Sequence, residues 1–419
     1  MRKPFRKYRK QLGDVFTLYF GGRLTIVISG YETLRQAYVK NGELFADRPS
    51  LYITDIATKN RGFTLANGER WRKHRRFALS TLKDFGMGKS KLEGKIHEEV
   101  ESFLSEIEAH KEEPFDPKDI ISKHIANIIC FILFKGQIKH DDQRFLGMIR
   151  LFDENMESAA GLANLMPWLA EFPGDPLKCK KMISNADKVY EYVDDIIDEH
   201  VREYDEKRNR FEEMSGMIGN LFIAGSHTTT AAIRWAIVCL VQFPEMQEKM
   251  YEIISSRIGN DRLPSAMDKT SLGYLEAFYL EVLRYCTITI SSGVHATSRD
   301  LTFKGFTIPK HALIMPDVYS ALHDQDTWHD PENFRPERFL DDNGNIRKRE
   351  EMIAFFLGKR NCVGESLARM ELLLFVGALV QRFRLESPID EAVSLERVDG
   401  VFGLVHTPRP YRIVATLRV

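Results

Sequence analysis

Apolar residues recur every three to four positions along most of the chain, which is the spacing of amphipathic helices packed against a core. One of these periodic runs opens directly after a cysteine-containing loop near the C-terminal end. The pattern predicts helices over the following ranges: 31–41, 68–81, 92–110, 120–135, 144–156, 176–208, 211–241 and 365–382.

Strand signals are fewer and shorter. Residues 18–28 have the pattern of two strands joined by a tight turn at a Gly-Gly pair. Residues 45–61 carry no long periodic run and are interrupted by Pro49, so we expect a loop-rich segment there. From residue 309 onward short strands and turns dominate, and 411–417 resembles one arm of a hairpin.

Composition narrows the functional classes. The chain has 419 residues, of which 43% are hydrophobic, so it can bury a large core. The formal net charge of -1 gives no bulk electrostatic reason to expect a nucleic-acid partner. The five cysteines are scattered without a Cys-x-x-Cys pair, which argues against a disulfide framework and a zinc site. Because no apolar run reaches about 18 residues, we expect neither a membrane anchor nor a signal peptide in this chain.

Cys362 is the strongest candidate for chemistry. It follows Arg360 by two residues and lies between Gly358 and Gly364, which allow the backbone to come close to a flat group. A helix predicted to begin at Glu365 would direct its positive end at the sulfur and favour the metal-binding thiolate. Taken alone, such a cysteine is more often an inert apolar residue.

The stretch from Phe355 to Gly364 reads Phe-x-x-Gly-x-Arg-x-Cys-x-Gly and is similar to the haem-binding loop of the cytochrome P450 superfamily. The resemblance is to the microsomal, family-2-like branch. It implies haem b (iron protoporphyrin IX) as cofactor, with Cys362 as the iron ligand. It also implies a mainly α fold with small β-sheets, an α+β fold in which haem lies between a long distal helix and the cysteine loop.

The resemblance runs nearly end to end, from about Gly13 to Arg418. It implies a single domain over residues 1–419, whereas length alone would suggest two or three. The chain is a few dozen residues shorter than the family pattern between His200 and Ala224, so we expect a shortened connector near 201–215.

Several basic residues match the family's haem-propionate partners. Trp71 and Arg75 lie four residues apart, so a helix would present both on one face. Arg360 and His295 match further propionate donors, and Arg48 is a weaker match in a loop. Without the cysteine motif, the charges around Arg75 would be interpreted as a solvated helix face.

A second set of residues matches a structural network of the family. Glu281 and Arg284 are three residues apart in a Glu-x-x-Arg pattern, and Arg338 lies in a Pro-Glu-Arg-Phe segment. The resemblance implies that these three form a buried ion network behind the cysteine loop. Such a network is stable only when every charge is paired.

The long predicted helix carries Gly225, His227 and Thr228 in the place of the family's oxygen-activation motif. By resemblance, Gly225 makes room for dioxygen and Thr228 donates a hydrogen bond to it. The alternative is a helix bent by the Thr228 hydroxyl bonding the carbonyl of Ala224. His227 departs from the family, which has an acid there, and a histidine changes the proton relay.

This departure yields a direct sequence-level prediction. If a carboxylate at position 227 is what the relay lacks, His227→Glu should raise the fraction of reducing equivalents recovered as hydroxylated product.

The resemblance implies a haem-thiolate monooxygenase that inserts one oxygen atom from O2 into a lipophilic small molecule, with electrons from NADPH through a reductase. The pocket is expected from residues 51–63, the helix around Ala224, 290–294 and 401–404, which are mainly apolar. Residues Leu162–Phe172 are apolar enough for a membrane-dipping loop or a lid, or for packing against the core. The endoplasmic reticulum membrane, on its cytoplasmic face, is the implied location.

Two other functions stay open at this point. One is a haem-thiolate isomerase or lyase of lipid peroxides, which needs no reductase and is favoured by the missing acid at His227. The other is a truncated, non-catalytic relative that binds haem, which the shortened connector would explain.

Overall fold

The protein is described from a computed structural model covering residues 2–84, 90–134, 139, 141–201, 208–391, 393, 400–403 and 405–418. The longer helices are α1 (Arg2–Leu12), α4 (Gly68–Asp84), α5 (Ser90–Glu108), α6 (Lys118–Phe134), α7 (Gln143–Glu157), α8 (Cys179–Val201), α9 (Arg208–Gln242), α10 (Pro244–Ile258), α11 (Gly273–Cys286) and α14 (Glu365–Arg382). The short helices are α2 (Tyr31–Arg35), α3 (Tyr52–Thr58), α12 (Val318–Leu322) and α13 (Gln325–Trp328).

The strands are β1 (Val15–Phe20), β2 (Arg23–Ser29), β3 (His295–Ala296), β4 (Leu301–Phe303), β5 (Phe306–Ile308), β6 (Leu313–Asp317), β7 (Phe383–Glu386), β8 (Val401–Phe402), β9 (His406–Thr407) and β10 (Val414–Leu417). One sheet has the order β1-β2-β6-β3, and three others are two-stranded. β1 and β2 form the predicted hairpin, and β2 runs parallel to β6. The expected α+β fold with small sheets is confirmed.

The predicted helices are all present, although their ends differ by a few residues. The predicted helix 31–41 is α-helical only to Arg35 and continues as a π-helix over Gln36–Lys40. The range predicted as 176–208 begins later, at Cys179, and residues 202–207 lie outside the described part of the chain.

Two local predictions were incomplete. The segment 45–61 contains α3, whose seven residues are too short to show a periodicity. Packing stabilises it, because buried Ile53 joins a small core with Ala160 and Ala163. The run at 411–417 is not half of a local hairpin, since β10 pairs antiparallel with β7 about 30 residues earlier.

The centre of the molecule is built on α9, which packs against α6 and α14. Every residue from Ala231 to Leu240 of α9 is buried, and all fourteen residues of α11 are buried beside it. The loop that carries Cys362 leads directly into α14. This arrangement holds the cysteine loop and the middle of α9 in the same region of the fold.

The predicted ion network is present and buried. Arg284 donates from Nε to Glu281 Oε2 at 2.7 Å and from Nη2 to Oε1 at 2.8 Å. Arg338 donates from Nε to Glu281 Oε1 at 3.1 Å and from Nη1 to Asp330 Oδ1 at 3.2 Å. One carboxylate therefore binds two arginines, and the network joins α11 to the segment around Pro336–Phe339.

None of the helices within the described ranges combines the length and the apolar character needed to span a bilayer. The assignment of residues 1–419 to one domain stays a prediction.

Candidate active site

The loop before α14 is shaped to present one cysteine. Its 3-10 turn begins at Gly358, whose φ of 66° and close approach to the π-helix Gln36–Lys40 both require glycine. A Cβ at this position would lie 1.8 Å from the carbonyl oxygen of Tyr38. The Cys362 N–H donates to the Phe355 carbonyl at 3.0 Å, and the Gly364 N–H donates to the Cys362 sulfur at 3.3 Å. Of the five cysteines, all of which are described, Cys362 alone is exposed.

The environment of the sulfur differs from the simplest expectation. Although the side chain is accessible, surrounding protein raises the pKa of the Cys362 thiol, and the Glu365 carboxylate adds to the rise. The Gly364 N–H and the Arg75 guanidinium act in the opposite direction. Position at the start of α14 therefore does not by itself favour the thiolate, because desolvation outweighs the favourable groups.

Arg360 is buried, and its hydrogen-bond partners are neutral. It donates to the carbonyl oxygens of Ala46 and Ala66, each at 2.7 Å, and its guanidinium stacks 4.0 Å over the ring of Trp71. Burial lowers the pKa of Arg360 to about 9, although the Asp47 carboxylate offsets part of the effect. An anion bound beside such a buried guanidinium would stabilise its charged form.

Arg48 and Arg75 place two further guanidinium groups nearby. Arg48 Nη1 donates to the Val294 carbonyl at 2.6 Å, and Arg75 Nη2 donates to Asn361 at 2.8 Å (O) and 2.6 Å (Oδ1). Burial lowers the pKa of Arg48 to about 10 and also lowers that of Arg75. In the described chain, no ion pair joins Arg48, Arg75 or Arg360 to a carboxylate.

Three buried polar atoms in this region have no hydrogen-bond partner within the described ranges: Tyr38 Oη, Arg48 Nε and His295 Nε2. The Tyr38 and His295 rings are in contact, with centroids 4.7 Å apart. His295 Nδ1 donates to the Phe45 carbonyl at 2.9 Å, which leaves Nε2 as its free nitrogen. Because buried polar atoms are almost always paired, this cluster fits a ligand carboxylate such as a haem propionate. The residues present therefore fit haem.

Two positions one turn apart in the middle of α9 are accessible on the same face. Ala224 is exposed and Thr228, one turn later, is partly exposed. The Thr228 hydroxyl donates to the Ala224 carbonyl at 2.6 Å, as the bent-helix interpretation predicts. This bond is compatible with either role for Thr228, because the hydroxyl can rotate toward another acceptor.

Gly225 favours close packing of two helices. A Cβ there would lie 2.6 Å from Cδ1 of Ile129 on α6, so glycine allows α6 and α9 to approach closely. Its predicted role in making room for dioxygen stays a prediction.

His227 contacts a residue that the sequence analysis did not identify. Its Nδ1 lies 3.1 Å from Asp153 Oδ1 on α7, and the side chain is buried. The position where the family has an acid therefore contacts an acid contributed by another helix.

A family model described as cytochrome P450 matches residues 1–215 and 179–415. This chain belongs to the cytochrome P450 family. Cytochrome P450 2C23 of Rattus norvegicus is 36% identical over 97% of this chain and 87% of the relative. Cytochrome P450 2U1 of Homo sapiens is 37% identical over 97% of this chain and 79% of the relative. Cytochrome P450 2C8 of Homo sapiens is 34% identical over 98% and 89%, respectively.

As a cytochrome P450 of the family-2 kind, the protein is a haem-thiolate monooxygenase, which uses O2, a redox partner and a small-molecule substrate. The resemblance found in the cysteine loop is thus confirmed. The individual roles predicted for the cofactor-binding and catalytic residues stay predictions: Cys362, Trp71, Arg75, His295, Arg360, Phe355, Gly364, Thr228, His227 and Gly225.

Sequence reasoning missed three residues of this P450 site. Tyr38 has the appearance of an ordinary core residue in a helix, and Asp153 lies 74 positions from its partner His227. Glu371, buried on α14, accepts a 3.0 Å hydrogen bond from Thr229. No local sequence pattern identifies these residues, because the importance of each depends on a contact with a residue that is distant in the sequence.

Proposed function

We propose that this cytochrome P450 inserts one oxygen atom from O2 into a lipophilic small molecule, with electrons from NADPH delivered by a flavoprotein reductase. Haem b would be held by Cys362 through its iron and by buried donors through its carboxylates. The observation that carries the proposal is the single accessible cysteine beside a cluster of unpaired buried donors. These donors come from Tyr38, Arg48 and His295, with Arg75 and Arg360 beside them.

Each part of the protein has a defined task in this proposal. When bound, haem supplies the activation of oxygen. Cys362, shaped by Phe355 and Gly364, would hold the iron. Trp71 supports Arg360 by stacking, and the Thr228 hydroxyl would provide a hydrogen bond to oxygen.

The lining of the candidate pocket supports an apolar substrate. Ala224 is exposed, and Ile290 and Val294 are partly exposed. Ser291 and Ser292 are partly exposed as well and supply the few polar groups. Leu404, which the sequence also assigns to the pocket, lies outside the described residues.

An apolar surface supports peripheral membrane contact. The segment Leu162–Phe172 folds as two 3-10 helices, Ala159–Asn164 and Pro167–Glu171. The β1–β2 turn lies against it, since a Cβ at Gly21 would fall 2.0 Å from Met166 Cγ. The exposed apolar side chains of these elements are Tyr19, Leu24, Leu162, Trp168 and Phe172. We propose that this surface rests on the cytoplasmic face of the endoplasmic reticulum membrane.

A basic surface supports the reductase as electron donor. Arg72, Lys73 and Arg76 on α4 and Lys359 beside the cysteine loop are exposed. Glu43 pairs with Lys359 and lies 4.0 Å from Arg72, and Glu69 pairs with Lys73. The remaining excess of positive charge favours an acidic partner on this side.

The reduced carbon-monoxide complex tests this function. We expect the purified protein to give the red-shifted Soret band of thiolate-ligated haem. Cys362→Ala should abolish that band, and Cys286→Ala, a substitution at a buried cysteine, should retain it. NADPH-dependent turnover of lipophilic substrates with a reductase should follow the same pattern. A band that survives Cys362→Ala would refute the proposal.

The peroxide isomerase alternative is disfavoured by Asp153. That alternative was supported by the missing acid at position 227, whereas the structure places a carboxylate 3.1 Å from His227. Turnover of a lipid hydroperoxide without NADPH, together with no reductase-supported oxidation, would reverse this preference.

A further inference from the structure

We propose that Lys118, Asp153 and His227 form a proton-supply unit on the side of α9 that faces α7, with a single water molecule beside it. His227 carries the proton, and Asp153 and Lys118 are positioning residues. The inference rests on the proposed oxygenase function and deepens it. It assigns a role to two residues, on α6 and α7, that the sequence motif does not contain.

The three residues meet at the junction of three helices. Asp153 on α7 uses Oδ1 to face His227 Nδ1 on α9 at 3.1 Å. It uses Oδ2 to face Lys118 Nζ at the start of α6 at 3.3 Å. The side chains of His227 and Asp153 are 8% and 16% exposed, whereas that of Lys118 is 25% exposed. The unit therefore extends from solvent toward the interior of the helix bundle.

A small cavity adjoins the unit. Its accessible volume is about 10 Å³, and its lining includes Asp153, His227, Ser122 and Thr230. The hydroxyls of Ser122 and Thr230 are buried and have no hydrogen-bond partner among the described residues. A polar cavity of this size with two unsatisfied hydroxyls meets the requirements for one bound water.

The electrostatics keep Asp153 ionised. Burial raises the pKa of Asp153, but the His227 hydrogen bond and the Lys118 charge together lower it by a larger amount. The net pKa of Asp153 therefore lies below its usual range. The carboxylate holds a proton on His227 Nδ1 and leaves Nε2 as the nitrogen that exchanges protons. In the proposed transfer, a proton from solvent adds to Nε2 and leaves from Nε2 to the adjacent water, so His227 returns to its starting state. Asp153 stays a carboxylate and Lys118 an ammonium throughout.

The local structure of α9 connects this unit to Thr228. His227 directly precedes Thr228, whose hydroxyl bonds the Ala224 carbonyl at 2.6 Å. Ser226 does the same with the Phe222 carbonyl, also at 2.6 Å. Two such bonds within three residues compete with the helix hydrogen bonds. Both bonds lie in the same turn of α9 as His227, so the unit adjoins the part of the helix that carries Thr228.

The decisive comparison is Asp153→Asn with Glu154→Gln in the haem-loaded enzyme. Both remove one negative charge from α7, but Glu154 is an exposed partner of Lys181 at 2.9 Å. We expect Asp153→Asn to lower the product formed per NADPH by about ten-fold, as for other residues that orient a functional histidine. Glu154→Gln should leave this ratio unchanged.

A second variant separates proton transfer from structure. His227→Asn keeps an N–H that can donate to Asp153 but cannot carry a proton, so haem content should be retained while coupling falls. Proton NMR gives a readout independent of turnover. A low-field, slowly exchanging His227 Nδ1–H signal should be present in the parent and in Glu154→Gln, and absent from Asp153→Asn.

The outcomes distinguish this inference from the function on which it rests. Equal coupling in Asp153→Asn, Glu154→Gln and the parent would overturn the proton-supply unit, as would full coupling in His227→Asn. Neither result would affect the thiolate-type carbon-monoxide spectrum. Loss of that spectrum from the parent protein would instead overturn the proposed function.

Discussion

Tyr38 shows how much a single atom can reveal about a site. Its ring is buried against Phe45, Phe356 and His295, as expected for a core aromatic residue. Its hydroxyl, however, is buried without a partner within the described chain. Burial of an unpaired hydroxyl destabilises a fold by about 1–3 kcal/mol, so the group is explained best by a ligand that completes its hydrogen bonding.

Tyr38→Phe should therefore have opposite effects on two forms of the protein. Without haem, the free energy of unfolding should stay equal or rise, because an unsatisfied hydroxyl is removed. With haem, the dissociation rate of the cofactor should increase about three- to ten-fold, corresponding to one lost hydrogen bond. Urea unfolding and haem transfer to an acceptor protein measure the two effects.

Tyr411→Phe is the matched control, because the Tyr411 hydroxyl donates to the Arg234 carbonyl at 2.8 Å. This substitution should destabilise both forms by about 1 kcal/mol. If Tyr38→Phe behaved in the same way, the hydroxyl would have a structural partner rather than a ligand.

The contact between His227 and Asp153 leads us to expect the opposite of the sequence-level prediction for His227→Glu. A glutamate there would face Asp153, which now lies 3.1 Å from the histidine. We expect this variant to lower both coupling and the free energy of unfolding, the latter by about 1–3 kcal/mol. Adding Asp153→Asn should recover most of the lost stability, which a double-mutant cycle in urea would measure. Increased coupling in the single variant would restore the earlier interpretation.

At the scale of elements, Glu371 links the helix that follows the cysteine loop to the distal helix. Its Oε2 accepts the Thr229 hydroxyl at 3.0 Å between α14 and α9. Burial raises the pKa of Glu371 to about 8, so the neutral form predominates near pH 7. A neutral carboxyl group is the form that a buried helix contact without a cation tolerates.

This carboxyl group should make stability depend on pH. The unfolded chain loses the Glu371 proton near its ordinary value of 4.5, whereas the folded protein keeps it to about 8. The stabilising contribution is complete below pH 4.5 and declines as pH rises through about 8. Glu371→Gln should flatten the decline of unfolding free energy between pH 5 and 8, by up to about 1 kcal/mol per pH unit.

Glu98→Gln provides the control for this pH experiment, because Glu98 is an exposed partner of Lys95 at 2.7 Å. Its pH profile should match that of the parent. An unchanged profile in Glu371→Gln would mean that Glu371 ionises normally in the folded protein.

The elements also show what the sequence can predict. Long periodic runs located seven of the ten longer helices that the structure describes, because burial of one face dictates their spacing. The same reasoning gave no range for α1, α3, α10 or α11 and no partner for β10. A seven-residue helix such as α3 and a long-range strand pair such as β7–β10 depend on packing. At the site, the cysteine motif could be recognised from consecutive residues. The contact of Asp153 with His227 could not, because the two residues are 74 positions apart.

At the scale of the whole molecule, the Glu281 network joins α11 to the segment that precedes the cysteine loop. One fully buried carboxylate satisfies Arg284 and Arg338. Glu281→Gln should reduce the free energy of unfolding by about 3–5 kcal/mol, because two buried guanidinium groups would lose their shared anion. We also expect this variant to take up haem poorly.

Asp330→Asn tests the specificity of that effect. Asp330 contacts the same Arg338 at 3.2 Å, but its side chain is 35% exposed. This variant should lose about 1 kcal/mol or less and should take up haem normally. Equal losses in the two variants would show that burial of the carboxylate is not what makes Glu281 critical.

The accessibility of the five cysteine thiols gives a way to measure how much of the protein has bound haem. Four thiols are enclosed by protein, and the fifth, Cys362, is accessible. An alkylating reagent should therefore titrate one equivalent per haem-free chain and none once the cofactor is bound. Partial labelling would then report directly what fraction of a preparation carries its prosthetic group.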